Sequence, residues 1–366
     1  MPATGDRGPG ALTADLKAYA REVGFHLIGI TSPEPFAQAE VDILRWLGEG
    51  HQGEMAWMNA ARTRLAARPQ ELLAGARSLV VVAASYRTED PEAGRGGRVA
   101  RYAWGSDYHD VLKSRLGRLV GFLSQRASGD VKTRMFVDSG PLVERDAAVR
   151  AGLGFRGKNT NLLTPIGSYV FLGALLTNVD LEVDRAAPKT CGTCRLCIDA
   201  CPTNALDQPY HLAAERCIAY LTIEHRGPIN PDLRPKIGDW VFGCDICQEV
   251  CPYNASSRGR PRGWTEFEPR RGTRVDLEQV LALDDEGFRL AFRGSPIKRA
   301  KRRGLARNAA LALGNQADAR ARPALEQAAV ADPEPLVRDA ADWALRRLPS
   351  NAPPPPCVEP AASEPQ

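Results

Sequence analysis

Eight of the nine cysteines in this 366-residue chain fall between positions 191 and 251, and their spacing constrains the fold more than any other feature. Cys191, Cys194, Cys197 and Cys201, with Pro202 after them, form a CxxCxxCxxxCP run. In two-cluster bacterial ferredoxins, three cysteines of such a run bind one [4Fe-4S] cluster and the fourth binds the other. A zinc site needs only four ligands, usually from two CxxC pairs, and would leave the third and fourth cysteines here unexplained.

A second run, Cys244, Cys247 and Cys251, keeps the same register but has Val241 where its first cysteine should stand. Cys217 lies between the two runs and can supply the missing ligand. The spacing therefore predicts two [4Fe-4S] clusters, with two zinc sites, or a mixture of zinc and cluster, as the alternative. We call cluster one the site of Cys191, Cys194, Cys197 and Cys251, and cluster two the site of Cys201, Cys217, Cys244 and Cys247. Because such clusters transfer electrons one at a time, we expect the rest of the chain to hold an electron acceptor.

The remaining composition indicates a globular protein. The hydrophobic fraction is 43%, which is ordinary for a folded core. The longest apolar stretch, residues 79–84, is far below the roughly 20 residues that span a membrane, and the first ten residues lack the apolar core of a signal peptide. We therefore expect a cytoplasmic protein without membrane contact, where reduced thiols bind metal and do not form disulfides.

Hydrophobic periodicity divides the chain into four parts. Residues 1–180 are expected to form an α/β (α+β) domain, with helices at 11–23, 107–128 and 142–153 and strands at 25–30, 78–85, 133–138 and 169–176. Residues 181–255 would form a bacterial two-cluster ferredoxin-like domain. Residues 256–350 would form a basic linker and a helical repeat. Residues 351–366 are Pro-rich and predicted to be disordered, with Cys357 as a bystander thiol.

The helical repeat is suggested by a recurring pattern. The sequence Leu-Ala-Arg-Asn-Ala-Ala at 305–310 recurs 31 residues later as Leu-Val-Arg-Asp-Ala-Ala at 336–341. This period is typical of stacked helical pairs of the HEAT kind. Only about two units fit, and two units bury little surface alone, so we expect them to dock on the rest of the protein.

Positive charge is concentrated in one part of the chain. Residues 252–307 contain 14 Lys or Arg and 7 Asp or Glu, although the whole chain has a net charge of only +4. We call residues 298–307 the basic segment; its cations are Lys298, Arg299, Lys301, Arg302, Arg303 and Arg307. Arg258, Arg260 and Arg262 lie in a Gly/Pro-rich stretch before it. Clustered cations bind nucleic-acid phosphates and release counterions. The alternative is a merely solvated face, and the local charge favours RNA.

Asp138 is the most conspicuous carboxylate of the first domain. It stands at the end of an apolar strand, just before a Gly-Pro turn into a helix. A catalytic acid borne by a strand would lie at such a place, but an aspartate can equally cap the helix that follows. The spacing alone leaves both interpretations open. No strand precedes the glycines at 152, 154 and 157, so a Rossmann nucleotide site is poorly supported.

Several stretches together resemble one family, the cobalamin-dependent epoxyqueuosine reductases, which complete the wobble-base modification queuosine in tRNA. The resemblance covers residues 12–348, and the matching stretches are 55–58, 101–109, 137–141, 157–159, 167–169, 216–221 and 242–245. It implies a first domain similar to the cobalamin domain of reductive dehalogenases. It also implies that Asp138 is the proton donor and that no histidine is needed as a cobalt ligand below the corrin. A lone histidine at a helix start, such as His109, is more often structural.

The resemblance further implies a cobalamin pocket with mostly apolar and backbone contacts. Its lining would include Ala100, Asp138, Lys158, Leu162, Leu172, Ala219, Gly243 and Asp245. The clusters would reduce the cobalt stepwise, and Asp138 would protonate the oxygen of the opening epoxide. The basic segment would contact the tRNA anticodon stem-loop that carries epoxyqueuosine. We also expect an unidentified low-potential electron donor and a monomer.

Two other functions share some of these features. A reductive dehalogenase-like enzyme acting on a small molecule would share the clusters and the corrin, but it would not need the basic segment. A non-catalytic electron-transfer protein would leave the first domain of about 180 residues without a purpose.

Trp264, Phe267 and Trp343 could stack on bases, but we expect them in the core.

Overall fold

The structure is a computed structural model and describes residues 9–89, 94–186, 188–255 and 260–349. Three predictions concern positions outside these residues, namely the disordered tail at 351–366, the bystander Cys357 and the phosphate contact of Arg258.

Nine strands and fifteen α-helices occur in the described parts of the chain. The strands are β1 Leu27–Thr31, β2 Ser78–Ser85, β3 Gly97–Val99, β4 Thr133–Phe136, β5 Phe155–Arg156, β6 Leu162–Leu163, β7 Val170–Thr177, β8 Trp240–Phe242 and β9 Arg274–Val275. The helices are α1 Pro9–Glu22, α2 Ala37–Gly48, α3 Ala60–Ala66, α4 Pro69–Leu72, α5 Tyr108–Arg126, α6 Glu144–Arg150, α7 Leu196–Asp199, α8 Ile218–Ile223, α9 Ile246–Glu249, α10 Pro252–Ala255, α11 Leu277–Ala282, α12 Asp285–Ala291, α13 Lys301–Gln316, α14 Arg322–Ala331 and α15 Pro335–Leu345.

The first domain is built on a four-stranded sheet in the order β1-β2-β7-β4, with every neighbouring pair antiparallel. All eight residues of β2 are buried, because this central strand is covered on both faces. Helices α1 and α5 pack on one face, and α6 packs on the other. Each of the predicted helices and strands of this domain is present, with ends shifted by a few residues.

A second, three-stranded sheet joins segments that are distant in sequence. Strand β3 pairs in parallel with β8 and antiparallel with β9. It therefore connects the three predicted parts 1–180, 181–255 and 256–350, whose boundaries remain predictions. The largest core cluster includes β8, α8 and the helices from α11 to α15, so the C-terminal helices are packed against the cluster-binding segment.

The two similar sequence segments fall in α13 and α15, which pack against each other and, in the case of α15, against α14. A HEAT-like repeat is not confirmed. Helix α13 is buried along most of its length, from Gly304 to Gly314, because it also contacts α8, α11 and β8. It is the central element of this region and does not present one face to a repeating partner. Phe267 is buried, and Trp264 and Trp343 are partly buried in the core, as expected.

Among the helices that the structure describes, none combines the length and the apolar character needed to cross a membrane.

Candidate active site

The four cysteines of cluster one surround a cavity of about 180 Å³. Three come from the first run and Cys251 comes from the second, which is the crossing arrangement that the spacing predicted. The backbone N–H of Lys158 donates a hydrogen bond to Sγ of Cys191 at 3.4 Å. The Lys158 ammonium donates to the carbonyls of Gly192 and Cys194 at 2.6 and 2.8 Å. Hydrogen bonds to cluster sulfurs tune the reduction potential, so Lys158 is placed to influence cluster one.

The four cysteines of cluster two line part of a larger cavity. Burial raises the pKa of the thiols of Cys217, Cys244 and Cys247, and the charges of neighbouring cysteines raise it further. Metal binding stabilises the thiolate form of such buried cysteines, because a thiol that coordinates a metal is deprotonated. The donor set therefore fits a [4Fe-4S] cluster. Cys247 also lies close enough to Cys197 of cluster one to affect its own pKa, so the two sites are neighbours.

The larger cavity has a volume of about 450 Å³, and we call it the central cavity. Its apolar wall includes Tyr86, Tyr102, Tyr108, Leu162, Val170, Phe171, Leu172, Leu206, Leu212, Ile218, Ala219 and Ile246. Polar residues also line it beside the cluster two cysteines, among them Asp138, Glu144, Arg145, Asn159, Thr160, Asn161, Ser168, Thr203, Asp245 and Gln248. A large apolar cavity with a few polar groups is typical of a cofactor site. A redox cofactor bound here would contact both a carboxylate and the ligands of a cluster.

Five of the eight residues predicted to contact cobalamin line the central cavity: Asp138, Leu162, Leu172, Ala219 and Asp245. The other three do not line it, and their contact with cobalamin remains a prediction. Lys158 borders the cavity of cluster one. Ala100 is buried, and its N–H donates to the carbonyl of Phe242 at 2.7 Å. A Cβ at Gly243 would approach that of Ala100 to 2.5 Å, so these two small residues allow close packing behind the cavity wall.

Asp138 lies in the turn after β4, not in the strand. Its φ of 55° is in the left-handed region that few residues other than glycine adopt. The residue that caps α6 is Val143, and no side chain caps this helix. The interpretation of Asp138 as a helix cap is therefore wrong. Its backbone N–H donates instead to Oε1 of Glu144 at 2.8 Å, and the carbonyl of Ser139 accepts a hydrogen bond from Arg62 at 2.9 Å.

The carboxylate of Asp138 contacts the start of α5. The hydroxyl of Tyr108 donates to its Oδ2 at 2.6 Å, and Nε2 of His109 lies 3.5 Å from the same oxygen. The other ring nitrogen of His109, Nδ1, is 2.8 Å from Oδ1 of Asp107. Both imidazole nitrogens of His109 therefore face carboxylates. Tyr108 is held by stacking on Phe171, with ring centroids 4.4 Å apart.

These contacts shift the pKa values of Asp138, His109 and Glu144. Burial alone would raise the pKa of Asp138, but hydrogen bonds from His109 and Tyr108 outweigh it and lower this pKa below its ordinary value. Burial opposes the charge of His109, yet hydrogen bonds to Asp107 and Asp138 raise its pKa to about 9. Burial and the charge of Asp138 raise the pKa of Glu144 to about 8. These shifts favour the protonated forms of His109 and Glu144 and the ionised form of Asp138.

Comparison with known proteins matches two family models to this chain. Residues 190–254 match a 4Fe-4S double cluster binding domain, and residues 67–139 match a domain described as Epoxyqueuosine reductase QueG, DUF1730. The epoxyqueuosine reductase of Pseudomonas aeruginosa is 40% identical over 350 residues, covering 93% of this chain and 95% of the relative. The chain belongs to the epoxyqueuosine reductase family. As a member of this family it is an oxidoreductase, and it has a double-cluster iron-sulfur domain.

Other members of the family agree in sequence and fold. The Escherichia coli epoxyqueuosine reductase is 38% identical over 315 residues, covering 83% of this chain and 81% of the relative. A crystal structure of an epoxyqueuosine reductase with an epoxyqueuosine-modified tRNA stem loop matches with a TM-score of 0.84 and 35% identity, covering 92% of this chain and 90% of that one. The Bacillus subtilis enzyme, solved with its catalytic aspartate loop swung out of the active site, has a TM-score of 0.82 and 34% identity, with coverage of 92% and 90%.

The basic segment is less uniform than its sequence suggested. Arg302 is buried and pairs with Asp332 at 2.8 Å. Arg307 is 1% exposed and donates to the carbonyls of Leu221, His225 and Gly227. Phosphate contact by Arg302 and Arg307 was therefore wrongly predicted, because their guanidinium groups bind other parts of the chain.

Lys298, Arg299 and Lys301 are exposed, and Arg303 is partly exposed. Arg299 lies close enough to Asp138 for its positive charge to lower the carboxyl pKa, and Lys298 acts likewise on Asp107. The exposed start of the basic segment is therefore beside the Asp138 group.

Three site residues were not singled out from the sequence, although all lie in or next to stretches that carry the resemblance. Tyr108 contacts the side chain of Asp138, and Glu144 contacts its backbone N–H. Trp57 has 46% of its surface exposed, with the guanidinium groups of Arg62 and Arg299 at 5.6 and 5.9 Å from its ring. Trp57 lies in the stretch 55–58 that carries the resemblance, and this position was the sequence signal that could have identified it.

Proposed function

We propose that this chain reduces epoxyqueuosine to queuosine at the wobble position of tRNA, with two [4Fe-4S] clusters, cobalamin in the central cavity and Asp138 as proton donor. The main support is that Asp138 and the cysteines of cluster two line the same cavity. The balanced reaction takes two electrons and two protons, breaks both carbon–oxygen bonds of the epoxide, and gives the alkene and water. The electrons arrive through the clusters.

The central cavity fits cobalamin by the chemistry of its wall. Leu162, Leu172 and Ala219 offer the apolar contacts that the rim of a corrin needs. When bound, cobalamin supplies a low-valent metal centre that can give electrons to the strained epoxide. The nearby cysteines of cluster two allow short-range electron delivery to a cofactor in this place.

Asp138 delivers the proton to the epoxide oxygen as negative charge develops there. Because its contacts lower the pKa of Asp138 and favour the ionised form, a proton must first reach its carboxylate. The imidazolium of His109, 3.5 Å away, is the nearest cationic donor among the described residues. The hydroxyl of Tyr108 donates a hydrogen bond to Oδ2 of Asp138, the same oxygen that faces His109, and holds it in place. When Glu144 is protonated, no second negative charge lies beside Asp138. Its Oε1 still accepts the hydrogen bond from the backbone N–H of Asp138 that fixes the turn.

The anticodon loop would reach the cavity past Trp57 and Arg299. Proteins that act on loop bases commonly stack them on aromatic rings and guanidinium planes. Trp57 offers such a ring. The guanidinium of Arg299, which pairs with Glu224 at 2.6 Å, lies 5.9 Å from this ring and close enough to Asp138 for its charge to act on the carboxyl. Lys298 and Lys301 add exposed positive charge for the phosphates.

The proposal also includes an unidentified low-potential electron donor, a monomeric state and a cytoplasmic location, where the tRNA is found. A direct test is anaerobic incubation of the reconstituted protein with a low-potential reductant and tRNA that carries epoxyqueuosine. Mass analysis of the nucleosides should show cobalamin-dependent loss of one oxygen. Absence of conversion with clusters and corrin verified as bound would contradict the proposal and direct the search to small-molecule substrates.

A further inference from the structure

A second group of metal-binding side chains lies outside the central cavity, where the end of α2 meets the segment 207–215. Oε2 of Glu49 is 3.5 Å from Nε2 of His51 and 3.7 Å from Nε2 of His211. The three ligand atoms all lie within 4.8 Å of one another. Zinc bonds of about 2.0–2.1 Å in a tetrahedron place ligands about 3.3–3.4 Å apart. The observed spacing needs only a small contraction to accept such an ion.

The outer contacts of both histidines match those of metal ligands. Nδ1 of His51 is 3.2 Å from the carboxylate of Glu215, and Nδ1 of His211 is 2.8 Å from that of Asp207. Histidines that bind metals almost always donate their second ring N–H to such an acceptor. This contact places the proton on Nδ1 and leaves the lone pair of Nε2 free. Both Nε2 atoms then face Glu49, with the rings nearly perpendicular at 80°.

Local structure explains why these groups converge. Gly50 has a φ of +79° and reverses the chain just after α2, so that Glu49 and His51 face the same side. The indole N–H of Trp46 donates to the carbonyl of Leu212 at 2.7 Å, which fixes the second segment beside the helix. The side chains of His51 and Glu49 are 22% and 47% exposed. An ion can therefore enter from solvent without opening the fold.

We propose that Glu49, His51 and His211 bind one divalent transition-metal ion of the zinc type, with water as the fourth ligand. Two imidazoles and one carboxylate favour zinc over magnesium or calcium, which prefer oxygen ligands only. The ion connects the end of α2 to a segment that lines the central cavity at Leu212 and continues to Cys217. The ion would therefore hold this part of the cavity wall against the end of α2. This role does not depend on the proposed reaction.

The competing interpretation is a group of ion pairs between protonated histidines and three carboxylates. The two interpretations differ in what the site binds, because only neutral imidazoles can coordinate an ion. Zinc binding to the holoprotein therefore separates them. Both clusters must be assembled beforehand, since empty cluster cysteines would bind zinc themselves.

The experiment is anaerobic titration of the holoprotein with Zn²⁺ against a chromogenic chelator, with zinc and iron measured per chain after desalting. We expect one zinc per chain at full iron content. His211→Gln should weaken binding at least 100-fold, and Asp207→Asn, which leaves all three ligands in place, about 10- to 100-fold. His225→Gln is the matched control, because His225 also pairs with a glutamate but has no second histidine partner in the described chain.

Zinc-edge X-ray absorption gives a second readout. The proposal predicts nitrogen and oxygen ligands without sulfur. Sulfur ligation, equal binding by the wild type and His211→Gln, or no zinc above the His211→Gln level would each overturn it. Iron content shows whether a variant is folded, so weak binding by a variant with full iron counts as loss of the site.

Discussion

The backbone N–H of Asp138 donates a 2.8 Å hydrogen bond to Oε1 of Glu144, which holds Asp138 in a left-handed backbone conformation with φ of 55°. Such a conformation costs a residue with a side chain about 1–2 kcal/mol. The bond therefore stabilises a turn that would otherwise relax. It also places the carboxylate against Tyr108 and His109.

Replacement of Glu144 tests this relationship. Glu144→Ala removes the acceptor, which contributes about 0.5–1.5 kcal/mol, so kcat should fall about 2- to 10-fold as the turn leaves its active position. Glu144→Gln retains a carbonyl oxygen at the same place and should stay within about 2-fold of the wild type. Single-turnover rates with bound cofactors measure both. Equal losses in the two variants would contradict a role for the acceptor.

The pH dependence of turnover tests His109. Because its pKa is raised to about 9 by Asp107 and Asp138, the imidazolium persists through neutral pH and is lost as pH rises through about 9. Turnover should fall over this range. His109→Gln should be slower at neutral pH and should lack the alkaline limb, whereas an unchanged limb in this variant would assign the titration to another group.

The same shift has a consequence for stability. The folded-state pKa of His109 lies above its unfolded value of about 6.5. The stabilisation from its carboxylate partners is therefore complete below about pH 6.5 and is lost as pH rises through about 9. Denaturant unfolding of the wild type and His109→Gln should give a difference in free energy that shrinks over this window.

The basic segment should separate into binding and structural residues. Lys298→Ala or Lys301→Ala should weaken tRNA binding and reduce the salt slope by about 0.9 per contact on duplex, without changing stability. Lys132→Ala, an exposed lysine that is 60% accessible, is the matched control. Binding measured across salt concentrations would contradict the assignment if all three variants behaved alike.

Arg302 should act in the opposite way. Its side chain and that of Asp332 are 6% and 4% exposed, so Arg302→Met leaves a buried charge and should destabilise the protein by about 3–5 kcal/mol. The double variant Arg302→Met, Asp332→Leu removes both charges and should recover most of this loss. Denaturant unfolding measures both, and an unaffected single variant would place the pair in solvent.

The sequence predicted the chemistry of the site better than its shape. The cysteine spacing grouped Cys217 with the second run although it lies outside the register, and the structure places it beside Cys244 in the central cavity. The concentration of positive charge predicted that Arg307 contacts RNA. That prediction was wrong because composition shows a charge but not whether the side chain is buried. Its guanidinium binds carbonyls more than 80 residues away along the chain, a contact that periodicity cannot reveal.

Asp138 illustrates the same limit in the local backbone. Its position after an apolar strand allowed a catalytic acid or a helix cap, and only the backbone angle and the contacts to α5 separate these alternatives. The partners Tyr108 and His109 lie 30 and 29 residues earlier in the sequence. Their meeting with Asp138 depends on how α5 packs on the sheet, which spacing does not specify.

In the proposed function, Asp138 delivers the proton in a cavity that it shares with the cysteines of cluster two. The most direct test is single-turnover reduction of epoxyqueuosine in a tRNA stem loop by the wild type and Asp138→Asn, both with verified iron and cobalamin content. Asn keeps the size of the side chain and tolerates the left-handed backbone, but it cannot donate the proton. We predict a fall in rate of about 10²- to 10⁴-fold with cofactors fully bound. A rate within a few-fold of the wild type would contradict the account.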